Sequence, residues 1–398
     1  MKAHYEIAII GGGPAGSALA ALLAQQGREV ALFEKDRFPR DKLCGEFLSP
    51  ESSLLLETIG CRHQVLRARP AFIRRARLTT ASGCRVELPL PGKGFGLSRR
   101  AFDATLFRFA MECGADAFTD SRVSIETPPA PGERVTLQVA GGTTQASLVV
   151  CAYGRRNHLD RKLRPSCQSS HANIALQRHL RPVAGRVGRR LLGEIAGVVE
   201  IHSFAGGYCG VSLVEDGVVN ICALLERAFL RRLESTRWNR VTASLAAAHP
   251  LLKSRLDALE PQPGHTQAVA RVSFSSRERR AGPVLFLGDA AGMIAPLCGD
   301  GQAMALRSAL LLAELLGSRP ITTSEIPPLS HEWNRRWQAE FSRRMRLGQW
   351  LQRLIWNPRS AQLAITTLAA WPALGRHLVR ATRGAERRQS RIRVHFDH

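Results

Sequence analysis

The chain is poor in acid and lacks the features that mark several protein classes. Of 398 residues, 33 are Asp or Glu against 56 Lys or Arg, a formal net charge of +23. No apolar run reaches the roughly 18 residues of a membrane-spanning helix, so none is expected. The opening "MKAHYEIAIIGGGPAG" lacks a charged region followed by an apolar stretch and a small-residue cleavage site, so no secretory leader is expected. The nine cysteines (Cys44, Cys61, Cys84, Cys113, Cys151, Cys167, Cys209, Cys222 and Cys298) include no C-x-x-C. No Cys/His group has zinc-site spacing, so no metal is expected. An odd number of cysteines without a leader fits reduced thiols and a cytoplasmic location. Internal repeats and low-complexity segments are absent as well.

What the chain has in excess is arginine, spread along its length. Such a field draws an acidic partner: nucleic acid (the least favoured of the three), an anionic membrane surface touched peripherally, or an acidic protein or carrier. The plainer reading is arginine on solvated faces.

"HYEIAII" is a buried-type strand, "PAGSALAALLAQQG" a helix stopped by Gly27, and "EVALFEK" a second strand, which together make a βαβ start. Residues 51–60 suggest a short helix and 71–90 a hairpin with glycine at the bend. "SRRAFDATLFRFAMECG" is helical up to Gly114. Strands are expected up to "ASLVVCAYG" and again over 172–225, with helices over 227–258. "GKGFGL", after Pro91, is expected to be a loop. "PVLFLGDAAG" is a strand entering a Gly-rich loop, "GQAMALRSALLLAELLG" the helix after it, and the tail from 329 is helical.

Gly11, Gly13 and Gly16 form G-x-G-x-x-G between the first strand and helix. The first glycine permits the tight turn, the second lets backbone approach a pyrophosphate, and the third packs helix on strand. Glu34 closes the second strand, 23 residues past Gly11, where an acid can bind ribose hydroxyls. Pro14, Ala15, Lys35 and Arg40 complete the expected nucleotide-binding set. NAD and FAD are not distinguished by these residues.

"GDAAGMIAPLCGDGQAMALRSA" (288–309) and "LSRRAFDATL" resemble motifs of the flavin monooxygenases and their geranylgeranyl-reductase-like and halogenase relatives. With G-x-G-x-x-G, these stand in the family's order over about three quarters of the chain. The resemblance implies FAD. It implies Gly288 and Asp289 at the ribitol, Pro296, Gly299 and Gly301 at the flavin ring, Arg99 at the ribose or phosphate, and Cys44 and Gly45 in the wall over the ring. A helix N-terminus near the flavin favours its anionic reduced form.

Two departures narrow the reading. Tyr153-Gly154 stands where hydroxylases of this group carry Asp-Gly, so reduction by NAD(P)H is expected either directly or through a partner flavin reductase. The six tryptophans (Trp238, Trp333, Trp337, Trp350, Trp356 and Trp371) offer no W-x-W-x-I-P spacing, so halogenation is not expected. "DKLCGEFLSPE" and "GGYCGVSLVEDG" look like the branch shared by isoprenoid reductases and hydroxylases.

Four residues are candidates for chemistry. Cys44 and Cys298 are candidate redox partners of the ring or small packing residues. Glu46 and Asp300 are candidate general bases, with Asp300 better suited to cap the helix that follows. The Trp and Phe of the tail are expected to pack on the body, leaving its arginine face open.

The expected fold is α/β. A Rossmann-type FAD-binding domain takes 1–70, 95–170 and 265–328, a mostly antiparallel substrate sheet takes 71–94 and 171–264, and 329–398 is helical. The expected activity is hydroxylation of an aromatic ring through a flavin C4a-hydroperoxide. Its substrate would be large or tethered to an acidic partner, such as a protein Trp in quinone-cofactor biogenesis. Reduction of isoprenoid double bonds and hydroxylation of a free or carrier-bound natural-product aromatic are the alternatives.

Overall fold

A computed structural model describes all residues except 126–132, 156–157, 166–172, 232–236, 263, 265, 273, 275–276, 318, 323 and 384–398. Cys167 and the end of the expected helical tail lie outside the described residues.

Two sheets organise the chain. Among the described residues the first runs β15 (Arg280–Ala281), β16 (Val284–Phe286), β8 (Gly142–Cys151), β1 (His4–Ile10), β2 (Val30–Phe33), β6 (Asp116–Phe118), with β7 (Val135–Val139) also on β8. Pairing is parallel from β16 to β6. Strands buried on both faces need near-continuous apolar runs, which "IAII" and "VALF" supply. On this sheet α1 (Pro14–Gln25) packs beside α4 (Arg99–Glu112) and α10 (Gly301–Leu316). Around them lie α2 (Pro50–Ile59), α3 (Arg62–Arg67) and α5 (Leu159–Leu163). Pro14 opens α1 where a missing N–H costs nothing.

The second sheet runs β13 (Leu259–Pro261), β9 (Asn173–Pro182), β12 (Val219–Leu225), β11 (Gly207–Leu213), β10 (Val198–Phe204), β4 (Ala71–Thr80), β5 (Arg85–Gly96), β3 (Phe47–Leu48), with β14 (Gln267–Val272) also on β9. It is antiparallel except where β10 meets β4. Its back face is closed by α6 (Arg186–Ile195), α8 (Trp238–Ala248) and α9 (Pro250–Asp257), which bury Leu191, Val241 and Leu252 against Val211 and Ile221. The short α7 (Arg227–Arg231) precedes them.

Helix α6 lies where strands were expected. Gly188, Leu191 and Ile195 share one helical face, and a side chain at Gly188 would meet the Val183 carbonyl at 1.9 Å. "GKGFG" is the second half of β5 and not a loop. Glycine is required there by crossing backbone: a Cβ at Gly96 would lie 1.8 Å from Leu213 O, and one at Gly94 2.8 Å from Leu48 O.

The tail is α11 (Ile326–Trp356), α12 (Pro358–Ala370) and α13 (Pro372–Ala381). Trp333, Trp337 and Phe341 are fully buried. Trp333 Nε1 donates to Phe286 O at 3.2 Å, and Trp337 fills the space over Gly292. Helices α12 and α13 lie on the front of β4 and β5, packing Ile365, Leu368 and Val379 on Leu78, Val86 and Leu88. No described helix is long and apolar enough to cross a membrane.

Candidate active site

One cavity runs from the β1–α1 turn, between the two sheets, onto the front face of the second. Its first end is a charged cradle. Gly13, Pro14 and Ala15 line it, and Gly11 and Gly16 shape the turn beneath. A Cβ at Gly16 would lie 1.9 Å from Gly11 O, and at Gly11 2.6 Å from Ala152 O, so both must be glycine. Helix α1 has no side-chain cap, leaving its first N–H groups for a ligand.

Below the cradle lies a buried ionic chain. Glu34 accepts from Gly12 N and Arg40 Nη2, both at 3.0 Å. Arg40 also reaches Asp103 at 2.9 Å, and Arg99 grips Asp103 with two bonds of 2.6 Å. Arg99 faces the cavity, while Glu34 and Arg40 do not line it. Lys35 is a correction: it is largely exposed, pairs with Asp36 and is outside the cavity. The lysine of the cradle is Lys42, which lines it beside Gly13 and Gly154. Lys42 has no hydrogen bond or ion pair among the described residues, and enclosure plus the neighbouring Arg99 and Arg40 lower its pKa to about 8. An unpartnered ammonium, an uncapped helix start and an open glycine floor fit a diphosphate.

The middle of the cavity fits a flavin ring. Gly288, Asp289, Pro296, Cys298, Gly299 and Gly301 line it, opposite Cys44, Gly45 and Glu46. Gly299 has φ +62, and a side chain there would strike the Phe47 ring at 2.8 Å. Asp300 holds the cap position of α10 but makes no cap bond. Its carboxylate turns away from the cavity to Ser49, Arg344 and Arg383 at 2.9, 3.2 and 3.1 Å. It ties the ring loop to the tail and is neither base nor side-chain cap.

Glu46 is 1% exposed and lines the cavity with φ +54, a costly conformation for a residue with a side chain. Three bonds hold it there: Arg99 N to Oε1 at 2.8 Å, His179 Nε2 to Oε2 at 2.5 Å, and Leu97 N to its carbonyl at 3.1 Å. Burial raises the carboxyl above its ordinary pKa, with His179 opposing. Burial works to lower His179, but the Glu46 carboxylate outweighs it and raises the imidazole. Because His179 is partly exposed, the pair links the cavity wall to solvent.

The Cys44 backbone is pinned by Gln177 Oε1 at 2.8 Å and Asn220 Nδ2 at 3.1 Å. Burial raises its thiol pKa, against the pull of Arg99. Cys298 is pushed by burial to about 12 and packs its sulfur where Gly348 of α11 leaves room.

Beyond the ring position the cavity continues as an apolar arm. Its floor is the second sheet, with Ala175, Leu224, Tyr208, Ile201, Ala76 and Leu90 contributed by six adjacent strands, β9, β12, β11, β10, β4 and β5. Five gaps at about 4.8 Å make this floor about 24 Å across. The Tyr208 hydroxyl is buried with no hydrogen-bond partner among the described residues. His179 and the arm carried no sequence signal, and Lys42 and Tyr208, though inside "DKLCGEFLSPE" and "GGYCGVSLVEDG", were not marked out by residue type or spacing.

The family of NAD(P)-binding Rossmann-like domains matches residues 9–42. The chain is 28% identical over 392 residues to the menaquinone reductase of Mycolicibacterium smegmatis (strain ATCC 700084 / mc(2)155), covering 91% of this chain and 87% of that one. Over 41% of its length it is 31% identical to the digeranylgeranylglycerophospholipid reductase of Methanoculleus marisnigri (strain ATCC 35101 / DSM 1498 / JR1), covering 42% of that protein. Its fold is similar to that of the flavin-dependent brominase Bmp2, with a TM-score of 0.78 at 18% identity, covering 95% and 93% of the two chains. Fold and cradle together define a Rossmann-type FAD-binding flavoprotein. The chain is a flavin-dependent oxidoreductase.

Proposed function

We propose that this enzyme reduces carbon–carbon double bonds in the isoprenoid chain of a lipid, such as a prenylated quinone. The observation carrying this reading is the apolar arm. Its floor of about 24 Å is several times the width of one aromatic ring and suits an extended chain threaded past the ring position. The menaquinone and digeranylgeranyl-lipid reductases among the similar proteins support it.

FAD, once bound and reduced by the electron donor, would supply the hydride for one alkene carbon. The other carbon needs a proton, and Glu46 is the cavity-wall group best placed to give it. Burial favours its protonated form, and His179 can return a proton to Oε2 from the solvent side. The apolar walls exclude water and fix the chain, while the unpartnered Tyr208 hydroxyl can bind a polar group of the substrate. NAD(P)H acting directly and a partner flavin reductase both suit the reading as electron donor.

Hydroxylation of an aromatic ring, free, carrier-bound or in a protein Trp, is the second reading. It is favoured by the same Glu46–His179 pair acting as base on a phenol or indole. Incubating reduced enzyme with a prenylated quinone under anaerobic conditions separates the two. Product gaining two hydrogens without O2 is expected. A product gaining one oxygen only when O2 is admitted, with no reduced alkene, would sink the reduction reading.

A further inference from the structure

The chain's end holds a segment that the reaction does not use. From Phe341 to Arg383 there are eight arginines and no Asp or Glu. Arg344 and Arg383 turn inward to Glu51, Glu340 and Asp300. The other six, Arg343, Arg346, Arg353, Arg359, Arg376 and Arg380, are exposed. Exposed apolar side chains lie among them: Leu363 at 70%, Trp371 at 66%, Trp350 at 53% and Leu374 at 40%.

The packing fixes which way these residues face. Helix α12 buries Ala361, Ile365 and Leu368, which leaves Leu363 outward. Helix α13 presses its backbone on β5 at Gly375, where a Cβ would lie 2.4 Å from Leu88. Trp371, Leu374, Arg376 and Arg380 are thereby held out from the body.

We propose that α12 and α13 form a docking face for an anionic lipid bilayer. A bilayer offers what this mixture complements: anionic headgroups for the arginines and an apolar layer beneath for Trp and Leu. Trp suits that boundary because its ring is apolar with a polar edge. An acidic protein or a nucleic acid would answer the arginines but offers no apolar layer for Leu363 and Leu374. The face is also connected to the cavity. Arg383, which lines the cavity, follows Trp371 by twelve residues, about 18 Å at helical rise. That the docked membrane holds the substrate rests on the reduction reading; the docking itself does not.

The test is co-sedimentation of the full-length FAD-loaded protein with substrate-free vesicles. Vesicles of phosphatidylcholine alone are compared with phosphatidylcholine mixed with phosphatidylglycerol. Binding is expected to the mixed vesicles and to fall with added salt. Trp371→Ser with Leu374→Ser, and separately Arg376→Gln with Arg380→Gln, should each weaken it by about tenfold or more. Leu54→Ser, at an exposed apolar site elsewhere, should not. Melting temperature and flavin content show that each variant is folded. No vesicle binding, equal binding to both vesicle types, binding untouched by the two double substitutions, or capture by heparin or an acidic protein but not by vesicles would each overturn the proposal. The vesicles carry no substrate, so the result is independent of the reaction catalysed.

Discussion

The cradle and the arm are two ends of one cavity, built on opposite principles. The cradle is local and charged. Five of its residues fall within Gly11–Gly16, and the buried ions beneath it, Glu34, Arg40, Arg99 and Asp103, hold one another and the turn at 2.6–3.0 Å. The arm is apolar and assembled from six strands, each giving one or a few side chains of ordinary type. A phosphate site needs particular atoms in particular places, whereas an apolar wall needs only shape and the absence of polar groups. Substitution should therefore be nearly all-or-none in the cradle and graded in the arm.

The sharpest break is Gly16→Val. Its Cβ would lie 1.9 Å from the Gly11 carbonyl, backbone that cannot give way without opening the turn. Purified protein should lose its flavin absorbance while the second sheet's helix-covered core stays folded. Flavin retained at wild-type content would show that the turn does not hold the cofactor.

Lys42→Met comes next. Losing one charge-assisted contact of about 1.5–3 kcal/mol should weaken FAD binding by roughly ten- to a hundredfold. The pH dependence has a definite sign. Free Lys42 has a pKa near 8, and a neighbouring diphosphate raises it toward the ordinary lysine value. FAD binding should then take up a proton as pH rises through 8, with affinity falling over the same range. Calorimetry in two buffers of different ionisation enthalpy reads this uptake, which Lys42→Met should abolish.

The difference between the two ends also explains what the sequence revealed. Gly11, Gly13, Gly16 and the 288–301 loop could be found because their chemistry demands residue types at fixed spacing, whereas Glu34, read from the same spacing, turns to Gly12 N and Arg40 and does not line the cavity. Lys42 could not, since Lys35 and Lys42 both follow the second strand and only the path of the loop shows which one turns inward. Asp300 was legible as a helix start but not in its pairing, because Arg344 and Arg383 reach it from 44 and 83 positions away. The alternation of apolar residues announced the second sheet, yet which of its faces would stay uncovered depends on where α6, α8 and α9 dock.

Ala76→Phe tests the graded end. A ring on the arm's floor should leave FAD content unchanged and impair long-chain substrates more than short ones. The kcat/KM for a long chain should fall by about tenfold, an overpacking cost of 1–3 kcal/mol. Equal losses for both lengths would mean that the arm does not hold the chain.

Glu46→Gln acts where the two ends join. Without the carboxylate, burial is opposed only by the smaller pull of Asp41 and Glu215, so the His179 pKa should fall. Histidine C2–H resonances followed through a pH titration read this with or without bound flavin. The amide can still accept from Arg99 N, so the backbone should hold. An unmoved His179 would remove the proton link between cavity and solvent.

The smallest effect should come from Cys298→Ala, although Cys298 lines the ring position. A thiol whose pKa burial pushes to about 12 is protonated at neutral pH and is a poor nucleophile. Its sulfur has a different use. A Cβ at Gly348 would lie 3.0 Å from it, so the absence of a side chain on α11 and the size of the Cys298 side chain are matched. Removing that sulfur should cost about 1 kcal/mol of stability and leave turnover within about twofold of wild type. Gly348→Ala should destabilise more, because the added methyl meets the sulfur, and the double variant Cys298→Ala with Gly348→Ala should recover part of that loss. Such recovery, measured as melting temperature in a double-mutant cycle, would identify Cys298 as a packing residue. A large fall in turnover for Cys298→Ala at unchanged flavin content and stability would instead place the thiol in the chemistry.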